Sequence, residues 1–362
     1  MTPTIILSFF TALFLTFIVS PFVISIAKKL NLVDDPKIRI HPANTHIGTV
    51  PRAGGLALFF GIASANLLFL PLNIHTIGIL IGALILTIVG LADDKKDVNP
   101  YLRLVINVLV AIIVVASGNI IPFITNPFSG GILDLTQWSF AIHLWGLPFT
   151  FGISQIIAIL WIVWTMNIVG WSAGVDGQMP GYVSISAFVL GILSLRYSIS
   201  DPTQIWITLL AFIVSGAFLG FLPWNFYPQK IMPGYGGKTL AGFFLALLGI
   251  LSYAKLGTAL LVLGIPMMDA LFTLVRRIST KNSPVRADRG HLHHKLLDLG
   301  WGKRRIALFY WCVSAILGLV SLTVTSQTKA FAFIIVAVTL AMFLVWVSYF
   351  TQFSKQHGHD NG

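Results

Sequence analysis

The chain has 362 residues, of which 56% are hydrophobic and only 10% are charged. A soluble domain averages about 25% charged residues, so the composition excludes an ordinary soluble protein and indicates a polytopic membrane protein. The net charge of +11 could suggest a nucleic-acid partner, but the basic residues lie in loops between apolar segments and not in patches interleaved with aromatic residues. This distribution argues against nucleic acid and fits membrane orientation and anionic partners.

Eleven apolar segments are long enough to cross a membrane as helices. The first, Thr4 to Ala27, lacks the basic leader and clear cleavage site of a signal peptide, so we predict that it stays as a span. The others are 54–71, 76–92, 102–118, 152–170, 181–198, 204–223, 239–253, 256–275, 306–324 and 329–350. We therefore predict an all-α polytopic membrane protein, with one integral-membrane domain over 1–350 and a short cytoplasmic tail over 351–362.

The distribution of charge predicts the orientation of these spans. Alternate loops, beginning with 28–52, hold every Lys and Arg except three: Arg196, Lys255 and Lys329. We therefore expect the N-terminus outside and the C-terminus in the cytoplasm. Every acidic residue is an Asp, and only Asp134 and Asp201 fall on the outer side. Since the positive-inside bias does not explain this gathering of Asp, we expect a polar site on the cytoplasmic face.

The longest outer segment runs from Ser117 to Phe151. It mixes Gly, Pro and Thr with alternating apolar residues, a pattern that favours a short hairpin. Its Trp residues suggest anchoring at the level of the lipid headgroups. No chemistry is evident in this segment.

The pair Asp93-Asp94 ends one apolar segment and precedes another. Two adjacent carboxylates at the mouth of a membrane helix are costly and need a reason. They offer hard oxygen ligands of the kind that Mg²⁺ prefers, together with waters and substrate phosphates. The open alternative is a solvated helix cap that Lys95 and Lys96 neutralise. We expect Asp93 and Asp94 at the floor of a phosphate-handling site.

Two further polar stretches are predicted to meet this pair. Arg52 precedes the Gly54-Gly55 pair at a helix start, where it could pair with a phosphate, although a plain basic loop is the alternative. Asn167 lies within or at the end of a span and needs a partner, while Asp176 sits between glycines in a tight loop. The alternative there is an ordinary Gly-rich turn.

The last two stretches are rich in Gly and in basic residues. The sequence Gly234-Tyr235-Gly236-Gly237-Lys238-Thr239 looks like a phosphate-binding loop before a helix, but its spacing is too short for an ATP-binding P-loop. An anion contact at that helix N-terminus stays open. The sequence Asp288-Arg289-Gly290-His291-Leu292-His293-His294-Lys295 could bind a transition metal, but its Arg and Lys favour a pyrophosphate instead. A solvated basic loop is the alternative.

Together these stretches resemble one family, the polyprenyl-phosphate N-acetylhexosamine-1-phosphate transferases. This family includes the bacterial undecaprenyl-phosphate GlcNAc-1-phosphate transferases and, more distantly, the phospho-N-acetylmuramoyl-pentapeptide transferase. The similarity covers about residues 28 to 300. It is carried by His41 with 51–55, by Asp93-Asp94, by 167–177, by 225–242 and by His291-Leu292-His293-His294.

The resemblance implies an eleven-span helical fold and a cytoplasmic active site at the plasma (inner) membrane. The reaction would move a sugar-1-phosphate from a UDP-N-acetylhexosamine, such as UDP-GlcNAc, to undecaprenyl or another polyprenyl phosphate. UMP would be released, and synthesis of a cell-envelope polysaccharide would begin. Mg²⁺ is the implied cofactor, with Mn²⁺ as the alternative. The oligomeric state is left open between a monomer and a homodimer.

The resemblance also implies roles for individual residues. Asp93 and Asp94 would be catalytic and would bind the metal, with Asn167 and Asp176 completing the metal site. The residues implied in substrate binding are Arg52, Asn225, Lys238, Arg289, His291, His293 and His294.

Four positions depart from the family pattern. Gly170 and Ala173 stand where the family usually has an Asn and an Asp. Tyr235 stands where the resemblance assigns an Asp to Mg²⁺, and Lys238 replaces a Ser. Three explanations follow: Mg²⁺ binds through the remaining Asp residues, Lys238 partly replaces the metal, or the chain is a degenerate relative that binds without turnover. A non-enzymatic scaffold is the alternative from another class. A transporter fits less well, since no inverted repeat is visible.

Overall fold

The computed structural model describes residues 2–38, 45–46, 48–126, 131–144, 147–252, 255–281 and 289–357. His41 and Asp288 lie outside the described residues. The helices are α1 (Thr2–Lys29), α2 (Gly54–Phe69), α3 (Ile74–Lys96), α4 (Pro100–Ala116), α5 (Ile153–Ser172), α6 (Gln178–Tyr197), α7 (Gln204–Asn225), α8 (Gly234–Leu251), α9 (Lys255–Val262), α10 (Gly264–Ser279), α11 (Leu292–Asp298), α12 (Lys303–Thr323) and α13 (Ser326–His357). The strands are β1 (Val33–Asp34), β2 (Val50–Pro51), β3 (Phe123–Thr125), β4 (Ile132–Asp134), β5 (Ser139–Leu144) and β6 (Leu147–Gly152).

Helices dominate because apolar segments in hydrocarbon must pair their backbone groups internally. In the described part of the chain, eight helices are long and apolar enough to cross a membrane, and α2 and α4 are shorter apolar helices. Each predicted span coincides with helix, which confirms an all-α multi-pass membrane protein. The number of eleven spans and the orientation stay predictions. Helix α13 runs to His357, so the predicted tail begins as helix.

The helices differ in how much of their surface is buried, and they fall into a central group and a peripheral group. Within their most apolar windows, α6, α7 and α8 are 78%, 72% and 83% buried, whereas α1 and α13 are 22% and 17% buried. Because the outer faces of α1 and α13 are apolar but exposed, these helices are suited to face lipid. The central helices carry the ends that build the site.

The predicted span over 256–275 is helical but is not one straight helix. That region holds α9 and α10, which are bent by 81° at a break near Leu263. Pro266 lies in the first turn of α10, where a missing N–H is tolerated. Broken helices in membrane proteins occur where the backbone is buried or lines a cavity. Hydropathy reports apolar content but not axis direction, so the bend was invisible in the sequence.

The glycine-rich stretch 234–239 is the start of α8 and not a loop, so this expectation was also wrong. Its glycines allow α8 to cross α3 and α2 with backbones in contact. A Cβ on Gly90 would lie 2.3 Å from Cα of Gly236, and a Cβ on Gly55 would lie 2.5 Å from N of Gly237. Small residues permit such close approach between membrane helices. The resemblance to a phosphate-binding loop therefore reflects helix packing.

The outer segment forms two antiparallel hairpins, β3 with β4 and β5 with β6. The predicted hairpin is confirmed, the second was not foreseen, and a position at the membrane interface stays a prediction. Strand β1 pairs with β2 so that Val33 faces Pro51. This short ladder brings the acidic start of the first polar loop beside Arg52 at its end.

Candidate active site

A cavity of about 800 Å³ lies where α3, α5 and α10 end and where α2, α4 and α8 begin. The five polar stretches of the sequence meet at this end of the bundle. Of the predicted site residues, these line the cavity: Arg52, Asp93, Asn167, Asn225, Lys238, His291, His293 and His294. Asp94, Asp176 and Arg289 are not among its lining residues.

Arg52 is the centre of an acidic cluster. Its guanidinium lies 3.9 Å from carboxylate oxygens of Asp34 and Asp93, 3.4 Å from Asp94 and 3.6 Å from Asp97. The backbone N–H of Arg52 donates to the carbonyl of Leu32 at 3.0 Å, beside the β1–β2 ladder. Both the backbone and the side chain of Arg52 are therefore held in place. Arg52 connects the first polar loop to the end of α3.

Asp93 is fully buried and pairs with two guanidinium groups. Besides Arg52, the Nη1 of Arg103 lies 3.2 Å from Asp93 Oδ1, and the N–H of Val98 donates to the same oxygen at 3.1 Å. The alternative of a solvated cap neutralised by Lys95 and Lys96 is wrong, because these two lysines are exposed and Asp93 is not.

Asp94 has a different place from its neighbour. Its Oδ1 accepts the N–H of Tyr235 at 3.0 Å, and a Cβ on Gly234 would lie 2.1 Å from its Oδ2. The carboxylate of Asp94 thus caps the N-terminus of α8, where a negative charge is favoured. The chain's own carboxylate occupies the helix terminus at which an anion contact was considered.

Tyr235 and Lys238 lie on the first turns of α8 and both line the cavity. The Tyr235 hydroxyl donates to Oδ1 of Asn107 at 3.2 Å, and the guanidinium of Arg103 stacks 5.1 Å above the phenol ring. Lys238 faces Gly170, where an added Cβ would lie 4.0 Å from Lys238 Cβ. All four departures from the family pattern, Ala173 included, thus lie on the lining of one cavity.

The residues His291-Leu292-His293-His294, here called the histidine motif, begin the short helix α11 and are held by a carboxylate in α10. Asp269 Oδ2 accepts from Nδ1 of His291 at 3.0 Å, and Asp269 Oδ1 accepts the N–H of Leu292 at 2.7 Å. Because an ionised carboxylate only accepts, this contact assigns the proton of His291 to Nδ1. The rings of His291 and His293 stack with centroids 5.8 Å apart.

His293 and His294 are buried beside the cavity, and their Nδ1 atoms have no hydrogen-bond partner among the described residues. Burial lowers the pKa of His293 well below its ordinary value. Burial, with the nearby Arg289 charge, lowers the pKa of His294 to about 4. Both rings are therefore neutral near pH 7, and each carries one N–H for a ligand. Gly174 lies directly beneath His293 and leaves room for its ring.

Asp176 and Arg289 are engaged outside the cavity. Asp176 pairs with Nζ of Lys303 at 3.1 Å and accepts the N–H of Gln229 at 3.3 Å. Arg289 is 44% exposed at its side chain and pairs with Asp298 at 3.0 Å. In this geometry neither side chain is placed to bind the substrate phosphates.

The two amides that line the cavity also have structural contacts. Asn167 donates to the carbonyl of Val163 one turn earlier at 2.8 Å. Asn225 accepts the N–H of Gly177 at 3.0 Å and donates to the carbonyl of Ile231 at 2.9 Å. Asn225 therefore joins the α5–α6 turn to the segment before α8, and its assignment to substrate binding stays a prediction.

These side chains are a poor fit to the predicted magnesium ion. Mg²⁺ needs hard oxygen ligands in near-octahedral geometry, and within the described residues no three His, Cys, Asp or Glu side chains form a group that could hold a metal. The carboxylates on the cavity wall, Asp34 and Asp93, are both paired with Arg52. Asp94 is engaged by Arg52 and by the N–H of Tyr235, and Asp176 by Lys303. Mg²⁺ thus stays a prediction that this donor set does not favour.

Three residues of the site were missed because they lie at the ends of, or within, predicted spans. Arg103 and Arg277 line the cavity from α4 and α10, and Asp269 holds the histidine motif. Ionisable residues in membrane helices are costly and mark functional sites. That signal was present in the sequence, since all three interrupt or border apolar runs.

Known proteins are similar to this chain over most of its length. The sequence signature of the family described as glycosyl transferase family 4 matches residues 76–253. A probable undecaprenyl-phosphate N-acetylglucosaminyl 1-phosphate transferase from Bacillus subtilis is 28% identical over 95% of this chain and 88% of its own length.

Two further relatives come from other bacteria. The decaprenyl-phosphate N-acetylglucosaminephosphotransferase of Mycobacterium leprae is 29% identical over 83% of this chain and 79% of its own. The undecaprenyl-phosphate alpha-N-acetylglucosaminyl 1-phosphate transferase of Thermotoga maritima is 27% identical over 96% of both chains. The predicted resemblance is confirmed: the chain is similar to glycosyl transferase family 4 over residues 76–253 and to these transferases over most of its length.

Proposed function

We propose that this protein transfers a sugar-1-phosphate, and specifically N-acetylglucosamine-1-phosphate, from a UDP-sugar to undecaprenyl or another polyprenyl phosphate, releasing UMP. By their names, the relatives are transferases of N-acetylglucosamine phosphate that use undecaprenyl phosphate or decaprenyl phosphate. The observation that carries the proposal is the composition of the cavity wall. Four cationic side chains, Arg52, Arg103, Lys238 and Arg277, face two carboxylates, so the lining suits a ligand with several phosphate charges.

The apolar side of the cavity fits a lipid substrate. Leu104 and Leu160 line the cavity and are also 41% and 63% exposed on the outer faces of α4 and α5. Trp164 and Leu274 continue the apolar surface inward. A polyprenyl chain lying along this surface would bring its phosphate to the basic wall without leaving the hydrocarbon.

The chemistry is an in-line displacement at phosphorus. An oxygen of the lipid phosphate forms a bond to the β-phosphorus of the UDP-sugar, and the bond from that phosphorus to the bridging oxygen breaks. UMP leaves with the bridging oxygen and its electron pair. Such a reaction depends on positioning and charge stabilisation more than on covalent chemistry by the protein.

Individual side chains have separate roles in this proposal. Arg52 and Arg103 stabilise the phosphates, and Asp93 holds both guanidinium groups toward the cavity. His293 and His294 donate N–H groups to the nucleotide phosphates, and His291, whose Nδ1–H is directed to Asp269, fixes the start of α11 on which they lie. Asp94 acts indirectly, by capping the N-terminus of α8. The cation-rich end of the bundle would face the cytoplasm, with the protein in the plasma membrane, as the positive-inside bias predicts.

The direct test is UMP release by purified protein in detergent with UDP-GlcNAc and undecaprenyl phosphate. The variant Asp93→Asn should lose turnover on the order of a hundredfold while remaining folded, because Arg103 loses its carboxylate partner and Arg52 loses one of its four. A matched substitution, Asp298→Asn, alters a surface ion pair and should have little effect. Normal turnover in Asp93→Asn would contradict the role given to Asp93. If the wild type releases no UMP with any of a panel of UDP-sugars, the proposed function is contradicted.

A further inference from the structure

The cavity wall combines carboxylates that pair with arginines and a lysine that has no ion pair among the described residues. Lys238 lines the cavity, and no described carboxylate lies within ion-pair distance of its ammonium group. By contrast, Asp34 and Asp93 are both paired. A buried or half-buried cation without a partner is costly, so its presence at the wall points to an anion that arrives with the substrate.

The same wall is arranged to hold a second cation in place. The Tyr235 ring lies under the guanidinium of Arg103, while the Tyr235 hydroxyl is fixed by Asn107. Stacking on an aromatic face and pairing with Asp93 together restrict Arg103 to one orientation. A carboxylate at position 235 would instead attract Arg103 and add negative charge beside Asp93.

The opposite helix faces the lysine with a residue that has no side chain. Gly170 in α5 lies so that an added Cβ would be 4.0 Å from Lys238 Cβ, an ordinary contact distance. Gly170, Tyr235 and Lys238 therefore lie on one surface of the cavity. A divalent ion beside Lys238 and Arg103 would be repelled by both, and the nearby carboxylates of Asp93 and Asp94 already pair with Arg52 and Arg103.

We propose that this enzyme neutralises the pyrophosphate of its donor with the fixed cations Lys238, Arg103 and Arg52, and needs no divalent ion held by its carboxylates. This inference rests on the proposed function. The bonds that form and break are those of the displacement described above. The lysine contributes charge only, and no proton or co-reactant is added.

The first test compares UMP release in excess EDTA and in excess Mg²⁺. Removal of an essential metal Lewis acid costs on the order of a hundredfold or more in rate. We expect the wild type to change by less than about tenfold between the two conditions. A larger loss in EDTA that Mg²⁺ restores would overturn the inference and leave the transferase function standing.

The second test reverses the charge arrangement. The double variant Tyr235→Asp/Lys238→Ser should become EDTA-sensitive and should gain a saturable Mn²⁺ site, measured by electron paramagnetic resonance on metal-stripped protein. Wild-type protein should show no such site. The matched control is Tyr101→Asp/Lys28→Ser, which makes the same chemical changes at two exposed positions. A saturable Mn²⁺ site in the wild type would overturn the inference.

A binding measurement decides the case in which no UMP appears. Isothermal titration with UDP-GlcNAc in EDTA should show binding to the wild type, and Lys238→Met should weaken it by about tenfold or more, since one charge-assisted contact is lost. Lys238→Arg keeps the charge and should retain most of the affinity. If no UMP is released but binding follows this pattern, the transferase function is rejected, while binding of the pyrophosphate by fixed cations without a divalent ion is supported. Binding that requires Mg²⁺ would reject the inference.

Discussion

A single methyl group at Gly174 should disable the histidine motif. The Cβ of Gly174→Ala would lie 1.9 Å from Nε2 of His293 and 2.4 Å from its Cδ2, where ordinary contact begins at 3.4 Å. The ring must therefore move by about 1.5 Å. A displacement of about 1 Å in a positioning group costs about a hundredfold in rate, and we expect kcat/KM to fall by about that factor. Overpacking a tight site should also cost about 1–3 kcal/mol of stability.

Gly170→Ala is the matched control. It makes the same change four residues earlier and also on the cavity lining, but its nearest contact is 4.0 Å. Because alanine favours helix over glycine by about 1 kcal/mol, this variant should be as stable as the wild type or more stable, with a far smaller loss of kcat/KM. Neither glycine has a positive φ, so the two substitutions differ in packing and not in backbone strain.

The assay is UMP release together with the Tm in detergent. A double-mutant cycle isolates the contact: in a His293→Ala background, the additional change Gly174→Ala should have almost no effect on kcat/KM. The reasoning is refuted if Gly174→Ala alone keeps wild-type kcat/KM, or if it remains as damaging when the imidazole is absent. In either case the close packing of Gly174 against His293 does not hold the ring for function.

Three further predictions follow from buried charges. Asp269→Asn should lower kcat/KM by about 10- to 100-fold, because a charge-assisted contact worth about 1.5–3 kcal/mol no longer fixes the histidine motif; unchanged kinetics would remove Asp269 from this role. Burial lowers the pKa of His294 to about 4 and lowers that of His293 well below its ordinary value. The unfolded chain binds protons near pH 6.5, so the free energy of unfolding should fall as the pH drops from about 6.5 to about 4, by about 3 kcal/mol for His294. The Tm measured across this range should have a smaller slope in His294→Gln, and a flat wild-type profile would contradict the burial argument. Asp176→Asn should destabilise the protein by about 3 kcal/mol because Lys303 loses its partner, and adding Lys303→Met should recover most of this; loss of turnover without loss of Tm would instead support a role at the metal.

Much of the fold and the position of the site could be predicted from the sequence. Hydropathy over long runs determines that the chain forms membrane helices, since hydrocarbon leaves the backbone no other partner. Alternation of charged loops places the polar stretches at one end of the bundle. The residues near Arg52, Asp93, Lys238 and His291 do line one cavity, as their positions at helix ends on one side require.

The fate of each ionisable group depended on contacts that sequence spacing does not encode. Asp93 and Asp94 are adjacent, yet one lines the cavity and the other caps α8 through Tyr235, 141 residues away. A step of one residue turns a helix by about 100°, so neighbours face different surroundings. Asp176 likewise meets Lys303, 127 residues away, which the local Gly-rich pattern did not indicate.

The sequence by itself determined the membrane class, the family resemblance and the end of the bundle that carries the candidate site. Tertiary structure alone decided which carboxylates are already paired, that the glycine-rich stretch is a helix crossing, and that Lys238 lines the cavity without a carboxylate partner among the described residues. The physical reason is that hydropathy and charge act along the chain against a planar membrane, whereas ion pairs and steric contacts act over a few ångströms between helices. Their rotation and crossing are settled only when the whole bundle packs.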